Sequence, residues 1–377
     1  MTAFGLVFSN IHDKCIPELT RRRTMASVPF GCRYRLIDFT LSNLVNAGIG
    51  KVGVIVHNNY QSLLDHIGNG KDWDLARRSG GIKILPPFIT SYDSQAASRL
   101  YESRLQALMG VLSFIEHANE EYCVLSDCDC IVNLDISDVL KQHVESGADV
   151  TFVTKREYLT EERASTRTFF RTENGRIRQC YSFTKRISGE FDVSLNVFVL
   201  KTRLLYNLLV DAMSRDLKSF TTDIVASNLN LMDFRIYEFS GFYATVGSMA
   251  EYFDCNMQLL DRTVRRQLFG VPERAVYTKI RNSPPSLYAD TANVKNSLIA
   301  DGCDIEGTVE NSILFRGTKI GKNAVVKNCI LMQDTYVGSN VKINCVIADK
   351  NVMIKDDKEF AGLPEIPFYL NKGAQIG

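Results

Sequence analysis

Two rhythms of apolar residues divide the 377-residue chain. Ala3-Phe4-Gly5-Leu6-Val7-Phe8 is a continuous apolar run of the length of a buried strand. Similar runs at residues 52–57, 122–125, 150–154 and 197–200 are separated by segments of helical period, among them residues 99–119 and 250–266. Such alternation predicts a mostly parallel sheet covered by helices, with ligand sites past the carboxyl ends of its strands. Residues 271–286, with Pro272, Pro284 and Pro285, read as a linker. Beyond them one tetrapeptide recurs as Asn296-Ser297-Leu298-Ile299, Asn311-Ser312-Ile313-Leu314, Asn328-Cys329-Ile330-Leu331 and Asn344-Cys345-Val346-Ile347. Units such as Ile320-Gly321-Lys322-Asn323-Ala324 lie between the copies. Apolar residues at this regular spacing predict a parallel β-helix whose coils bury one another, and the regularity argues against an ordinary β-sandwich. The expected division is an α/β domain over 1–250, a helix and linker over 251–288, and a β-helix over 289–377.

A phosphate-binding turn after the first strand would need glycines, so that backbone N–H groups could approach the anion. The turn reads Ser9, Asn10, Ile11, His12, Asp13, Lys14, Cys15 instead, with a β-branched side chain and a carboxylate where the anion would sit. A distinctive stretch follows, Val28-Pro29-Phe30-Gly31-Cys32-Arg33-Tyr34-Arg35-Leu36-Ile37-Asp38-Phe39-Thr40-Leu41-Ser42-Asn43.

That stretch closely resembles the ADP-glucose pyrophosphorylase (glucose-1-phosphate adenylyltransferase) family, whose first strand leads into A-G-G-x-G-x-R and then P-F-G-G-x-Y-R-x-I-D-F-x-L-S-N. Aligned on that family, its first three glycines fall on Asn10, Ile11 and Asp13, its arginine on Cys15 and its active-site lysine on Met25. Every change is at a position the family uses on triphosphate or pyrophosphate. The pattern resembles the GlgD-type regulatory subunits of the family. The resemblance implies a nucleotidyltransferase-like α/β/α domain followed by a left-handed β-helix, and it spans essentially the whole chain.

Adenylyl transfer needs Mg²⁺ and basic groups around the phosphates of ATP. The family holds the metal with two aspartates; Asp129 keeps the first position and Thr245 replaces the second. One carboxylate without a phosphate cradle holds Mg²⁺ poorly, so Asp129 reads as a polar residue at a strand end and no metal or other cofactor is expected. Mg²⁺ would belong to a catalytic partner. In the adenine segment Arg104 and Leu105 are bulkier than the Thr and Ala of the family, which predicts a filled purine pocket. The sugar-phosphate lysine falls on Phe183 without a gap, or on Lys185 after a two-residue shift.

Lys plus Arg number 44 against 43 acids, for a net charge of +1, so neither nucleic acid nor an anionic membrane is an expected partner. No apolar run approaches the length of a spanning helix, and a cytoplasmic protein is expected. The ten cysteines show no C-x-x-C pair and read as small core residues. The five histidines, His12, His57, His66, His117 and His143, show no metal spacing and are expected in surface or core roles. Arg21, Arg22, Arg23, Arg33 and Arg35 form the densest basic cluster, either a solvated loop or, as the family suggests, a regulatory site for phosphate or sugar phosphate. The leading expectation is a silent or nearly silent subunit that regulates a catalytic glucose-1-phosphate adenylyltransferase subunit, in equal numbers within a hetero-oligomer. A weakly active adenylyltransferase with a rearranged site is the second. A β-helix acyltransferase is the third, and it lacks any histidine after His143.

Overall fold

The computed structural model describes residues 1–86, 101, 103–182, 184 and 186–377. Among the described residues nine strands form the main sheet, and four of them run parallel in the order Gly81–Leu85, Lys51–Ile55, Ala3–Phe8 and Tyr122–Asp127. The long strand Gly189–Lys201 lies antiparallel beside Tyr122–Asp127 and is followed by Val150–Leu159, Phe234–Glu238, Arg176–Ser182 and Thr168–Glu173. Beyond Tyr122–Asp127 the pairings are antiparallel except that Phe234–Glu238 runs parallel to Val150–Leu159, so the sheet is mixed rather than mostly parallel. Its central strands are covered on both faces: Phe4 and Leu6 pack into one apolar cluster, Val7 and Val124 into the other. Helix Leu36–Asn46 approaches the first strand so closely that a Cβ on Gly5 would stand 2.8 Å from Leu44 Cδ1, which explains the glycine inside this strand.

Two expected helices are interrupted. Between residues 103 and 119 there are two short helices, Arg104–Met109 and Leu112–Glu116, separated at Gly110, while the start of the expected helix lies outside the described residues. The second is divided into Met249–Met257 and Arg262–Phe269. Asp261 restarts it by accepting a hydrogen bond from the Thr263 N–H at 2.6 Å, a capping geometry that needs extended backbone at the Asp itself.

From Leu287 the chain winds into three parallel sheets of six, five and five short strands, a left-handed parallel β-helix. Leu298, Ile313, Ile330 and Ile347 stack coil on coil. Asn296, Asn311 and Asn328 take positive φ at one corner, where asparagine is tolerated, and Asn296 donates to Asn311 at 2.7 Å. The fourth copy of the tetrapeptide is displaced by one residue: Ile347 rather than Val346 stacks on Ile330, and Cys345 takes the corner conformation.

The β-helix docks on the stretch that carries the family resemblance. Val28, Phe30, Leu36 and Phe39 share one buried cluster with Tyr252 and Phe253 and with Ile313, Phe315, Ile330 and Ile347 of the coils. Tyr252 Oη donates to the Pro29 carbonyl at 2.6 Å, and the Gly31 N–H donates to Asn256 Oδ1 at 3.0 Å. Residues 28–39 are thus the floor on which the second domain sits.

Candidate functional site

The turn after the first strand bonds to itself. Asn10 donates to Asp13 Oδ2 at 2.6 Å and accepts from the His57 N–H at 3.0 Å, while Asp13 Oδ1 accepts from the Met25 N–H at 2.7 Å. Backbone donors that could face a phosphate are in part occupied by these side chains. Burial raises the Asp13 carboxyl to about 6. Ile11 packs against the core cluster beneath, and Met25 is buried where the family places a lysine.

Past the carboxyl ends of the central strands, five side chains close a ring. His12 Nε2 lies 2.6 Å from Asp127 Oδ2 and 3.6 Å from Asp129 Oδ2. Arg104 Nε donates to Asp127 at 3.0 and 3.1 Å, and its Nη2 donates to Asp127 as well and to Asn196 Oδ1 at 2.8 Å. Asn196 Nδ2 completes the circuit to Asp129 at 3.3 Å. Asn196 reaches it from a bulge in the strand Gly189–Lys201, with φ of +57°. Two cations and two carboxylates balance, so the charge that Mg²⁺ would neutralise is already met from within.

Burial alone would raise Asp127, but the Arg104 guanidinium and the bond to His12 hold it down at about 2. Burial would lower His12, yet Asp129 and the bond to Asp127 raise it to about 10. Burial, with the charge of Asp127 beside it, pushes Asp129 up. His12, Asp127 and Asp129 stand close enough to share an ion. They do not fit Mg²⁺: a protonated imidazole offers no lone pair, Asp127 is engaged by Arg104, and Thr245 leaves only an unpartnered buried hydroxyl at the second aspartate's position. The cleft among His12, Cys15, Arg104, Asn196 and Thr245 leaves about 30 Å³, room for a water or two, against roughly 300–1,000 Å³ for an ordinary ligand pocket.

The ring carries a pH prediction. Asp127 contributes fully above its ordinary value of 3.8 and loses that contribution as pH falls through about 2. His12 contributes fully below 6.5 and loses its contribution as pH rises through about 10. The stability advantage of the parent protein over His12→Gln should therefore shrink between pH 6.5 and 10 in urea unfolding. An advantage that stays constant or grows over that range would mean that His12 is not charged.

The basic cluster is divided between two places. Arg21 and Arg22 are exposed beside a cavity of about 270 Å³ that also meets Lys372. Arg23, expected with them, is buried and gives both contacts of its Nη2, at 2.7 and 2.8 Å, to Asp349 of the β-helix. It clamps the two domains and is not free to meet an anion. Arg33 and Arg35 line a different cavity between the domains, joined there by Lys279, Arg281, Arg316 and Lys350. Arg35 is fixed by donating to Ser62 O and Oγ at 2.5 and 2.9 Å.

Asp129, Cys15 and Thr245 thus meet at the cleft, as their positions in the sequence suggest. Lys185 and its alternative Phe183 lie outside the described residues. His12 belongs to the cleft rather than to surface or core. Asp127 and Asn196 carry no functional signal in the sequence, and His12 carries only the expectation of a surface or core role, because their partners are far away in the chain. Arg104 was legible as a bulky replacement, but not as the partner of Asp127.

Among the described residues no helix is long and apolar enough to cross a membrane. Residues 16–166 match the nucleotidyl transferase family, beginning directly after the altered turn, and residues 286–362 match the GlmU-like C-terminal hexapeptide family. The glycogen biosynthesis protein GlgD of Bacillus subtilis is 34% identical over 375 residues, covering 99% of this chain and 96% of its own. GlgD of Geobacillus stearothermophilus is 35% identical over 325 residues, 85% of this chain and 82% of its own. The glucose-1-phosphate adenylyltransferase of Thermosipho africanus is 33% identical over 313 residues, 82% of this chain and 74% of its own.

Proposed function

The chain belongs to the ADP-glucose pyrophosphorylase family as a GlgD-type member, and we propose that it serves glycogen biosynthesis as a regulatory subunit without adenylyl transfer of its own. The observation that carries this reading is the closed ring of His12, Asp127, Arg104, Asn196 and Asp129. It fills and neutralises the place where the family's metal and phosphates would act. The partner is a catalytic glucose-1-phosphate adenylyltransferase subunit, which supplies the Mg²⁺ site. Regulation of this kind needs only that the two subunits contact each other differently in two states. Exposed apolar residues of the β-helix, among them Leu287, Leu363 and Ile366, favour such association.

The effector is an anion of the phosphate or sugar-phosphate class, held by Arg33 and Arg35 in the cavity between the domains, with Arg21 and Arg22 as a second basic surface. Arg316 supports this assignment. It lines the cavity while 8% exposed, and its Nε lies 3.5 Å from Asp301 without making a hydrogen bond.

Mixing the chain with a catalytic subunit at micromolar concentration should give a hetero-oligomer with equal numbers of the two, measured by light scattering. Separate species would refute the assembly. Within that complex Arg33→Ala should weaken the response of ADP-glucose synthesis to phosphate by roughly ten- to a hundredfold in half-saturation, as expected for loss of one charge-assisted contact of about 1.5–3 kcal/mol. An unchanged curve would remove Arg33 from the effector site.

A further inference from the structure

Six cationic side chains converge on the cavity between the domains, and among the described residues no carboxylate lines it. Like charges so placed repel, and the repulsion is eased most cheaply by the group that can release a proton. Guanidinium groups cannot: Arg33, Arg35, Arg281 and Arg316 stay charged. Lys279 turns its ammonium to the backbone carbonyl of Asp65. His66 is tied to Asp38 at 2.6 Å, and burial pushes it down. Lys350 remains. It is half-buried and faces Arg35, Arg23 and Arg281, and its nearest acid, Asp349, is already held by both contacts of Arg23 and by the Lys350 backbone N–H at 2.7 Å. Burial, then Arg35 and Arg23, push the ammonium down to about 7.

An anion entering this space reverses the balance. It faces the guanidiniums, leaves the Arg316 Nε a partner, and makes a charged Lys350 favourable again. The open volume, about 30 Å³, suits the tip of a ligand rather than a whole sugar. We propose that Lys350 takes up a proton as the tetrahedral oxyanion end of that effector, inorganic phosphate or the phosphoryl end of a phosphate ester, enters the cavity. The inference rests on the effector reading above and adds to it a coupling to pH: the empty cavity holds a partly neutral lysine, the filled one a charged lysine. Anion affinity then falls as pH rises above about 7.

Sulfate is the suitable probe, because its own charge does not change over the range examined. Calorimetric titration of the full chain with sulfate, repeated in buffers of different ionisation enthalpy at pH 8, should show uptake of about half to one proton per sulfate bound. Affinity should weaken by up to about tenfold per pH unit between pH 7 and 9. Lys350→Arg should still bind sulfate, with the uptake and the pH slope both gone. Uptake that persists in Lys350→Arg, or sulfate binding without uptake in the parent, would overturn the role of Lys350 and leave the anion site standing. Failure of sulfate to bind at about 10 mM would overturn the anion site itself. Competition by inorganic phosphate and by glucose 1-phosphate separates the two sources of the oxyanion: the one that displaces sulfate at lower concentration is the ligand.

Discussion

Purified alone, the chain is expected to make ADP-glucose at no more than a trace rate, below detection in an assay of diphosphate release. The physical reason is the coincidence of several losses. The turn offers no glycine cradle, Met25 replaces a lysine, Thr245 replaces a carboxylate, and Arg104 lies against the remaining acids. One lost donor of transition-state charge costs about 10²–10³-fold, and the losses here act on the same phosphates. Thr245→Asp alone should not revive the reaction, because Asp127 and Asp129 remain neutralised by Arg104 and His12 and the cleft keeps only about 30 Å³. A turnover number within the ordinary enzyme range of about 1–10³ per second, measured without a partner, would end the regulatory reading.

The second large effect concerns stability. Arg104→Ala should lower the unfolding free energy by about 3–5 kcal/mol, because it strands a fully buried Asp127 with only His12 opposite. Removing both charges together, as Arg104→Leu with Asp127→Asn, should cost markedly less, since no charge is then left unpaired. The comparison is made by urea unfolding of the two variants and the parent at pH 6, where His12 and Asp127 are both charged. A loss below about 1 kcal/mol for Arg104→Ala would mean that water already reaches Asp127 and that the ring is not closed. The same variant also tests function: if Arg104 only fills a vacated pocket, its removal opens space without restoring chemistry.

The ring and the domain floor explain why one half of the N-terminal segment keeps the family pattern and the other does not. Residues 28–39 are buried against the coils of the β-helix, where a change of shape would separate the domains. Residues 10–15 border the cleft, and without a triphosphate to hold, their polar side chains bond to one another and to the backbone of Met25 and His57.

Sequence alone determined the two architectures and their order, because periodicity is a local property. The run Ala3 to Phe8 is buried on both faces, and the repeated Leu-Ile pairs stack at the spacing of the repeat. It also marked Asn10, Ile11, Asp13, Met25 and Thr245 as unsuited to phosphate and metal, since those chemistries depend on residue type. What only the tertiary structure decided is which charges meet. Asp127 finds Arg104 across 23 residues and His12 across 115, and Arg23 finds Asp349 across 326. Arg21, Arg22 and Arg23 look equivalent in sequence, yet burial commits the third to an interdomain pair while the first two stay exposed. The cavity of Arg33, Arg35, Lys279, Arg281, Arg316 and Lys350 is assembled from the first domain, the linker and the β-helix. Electrostatic energy depends on distance in space and on burial, and neither can be read from position along the chain until the domains have docked.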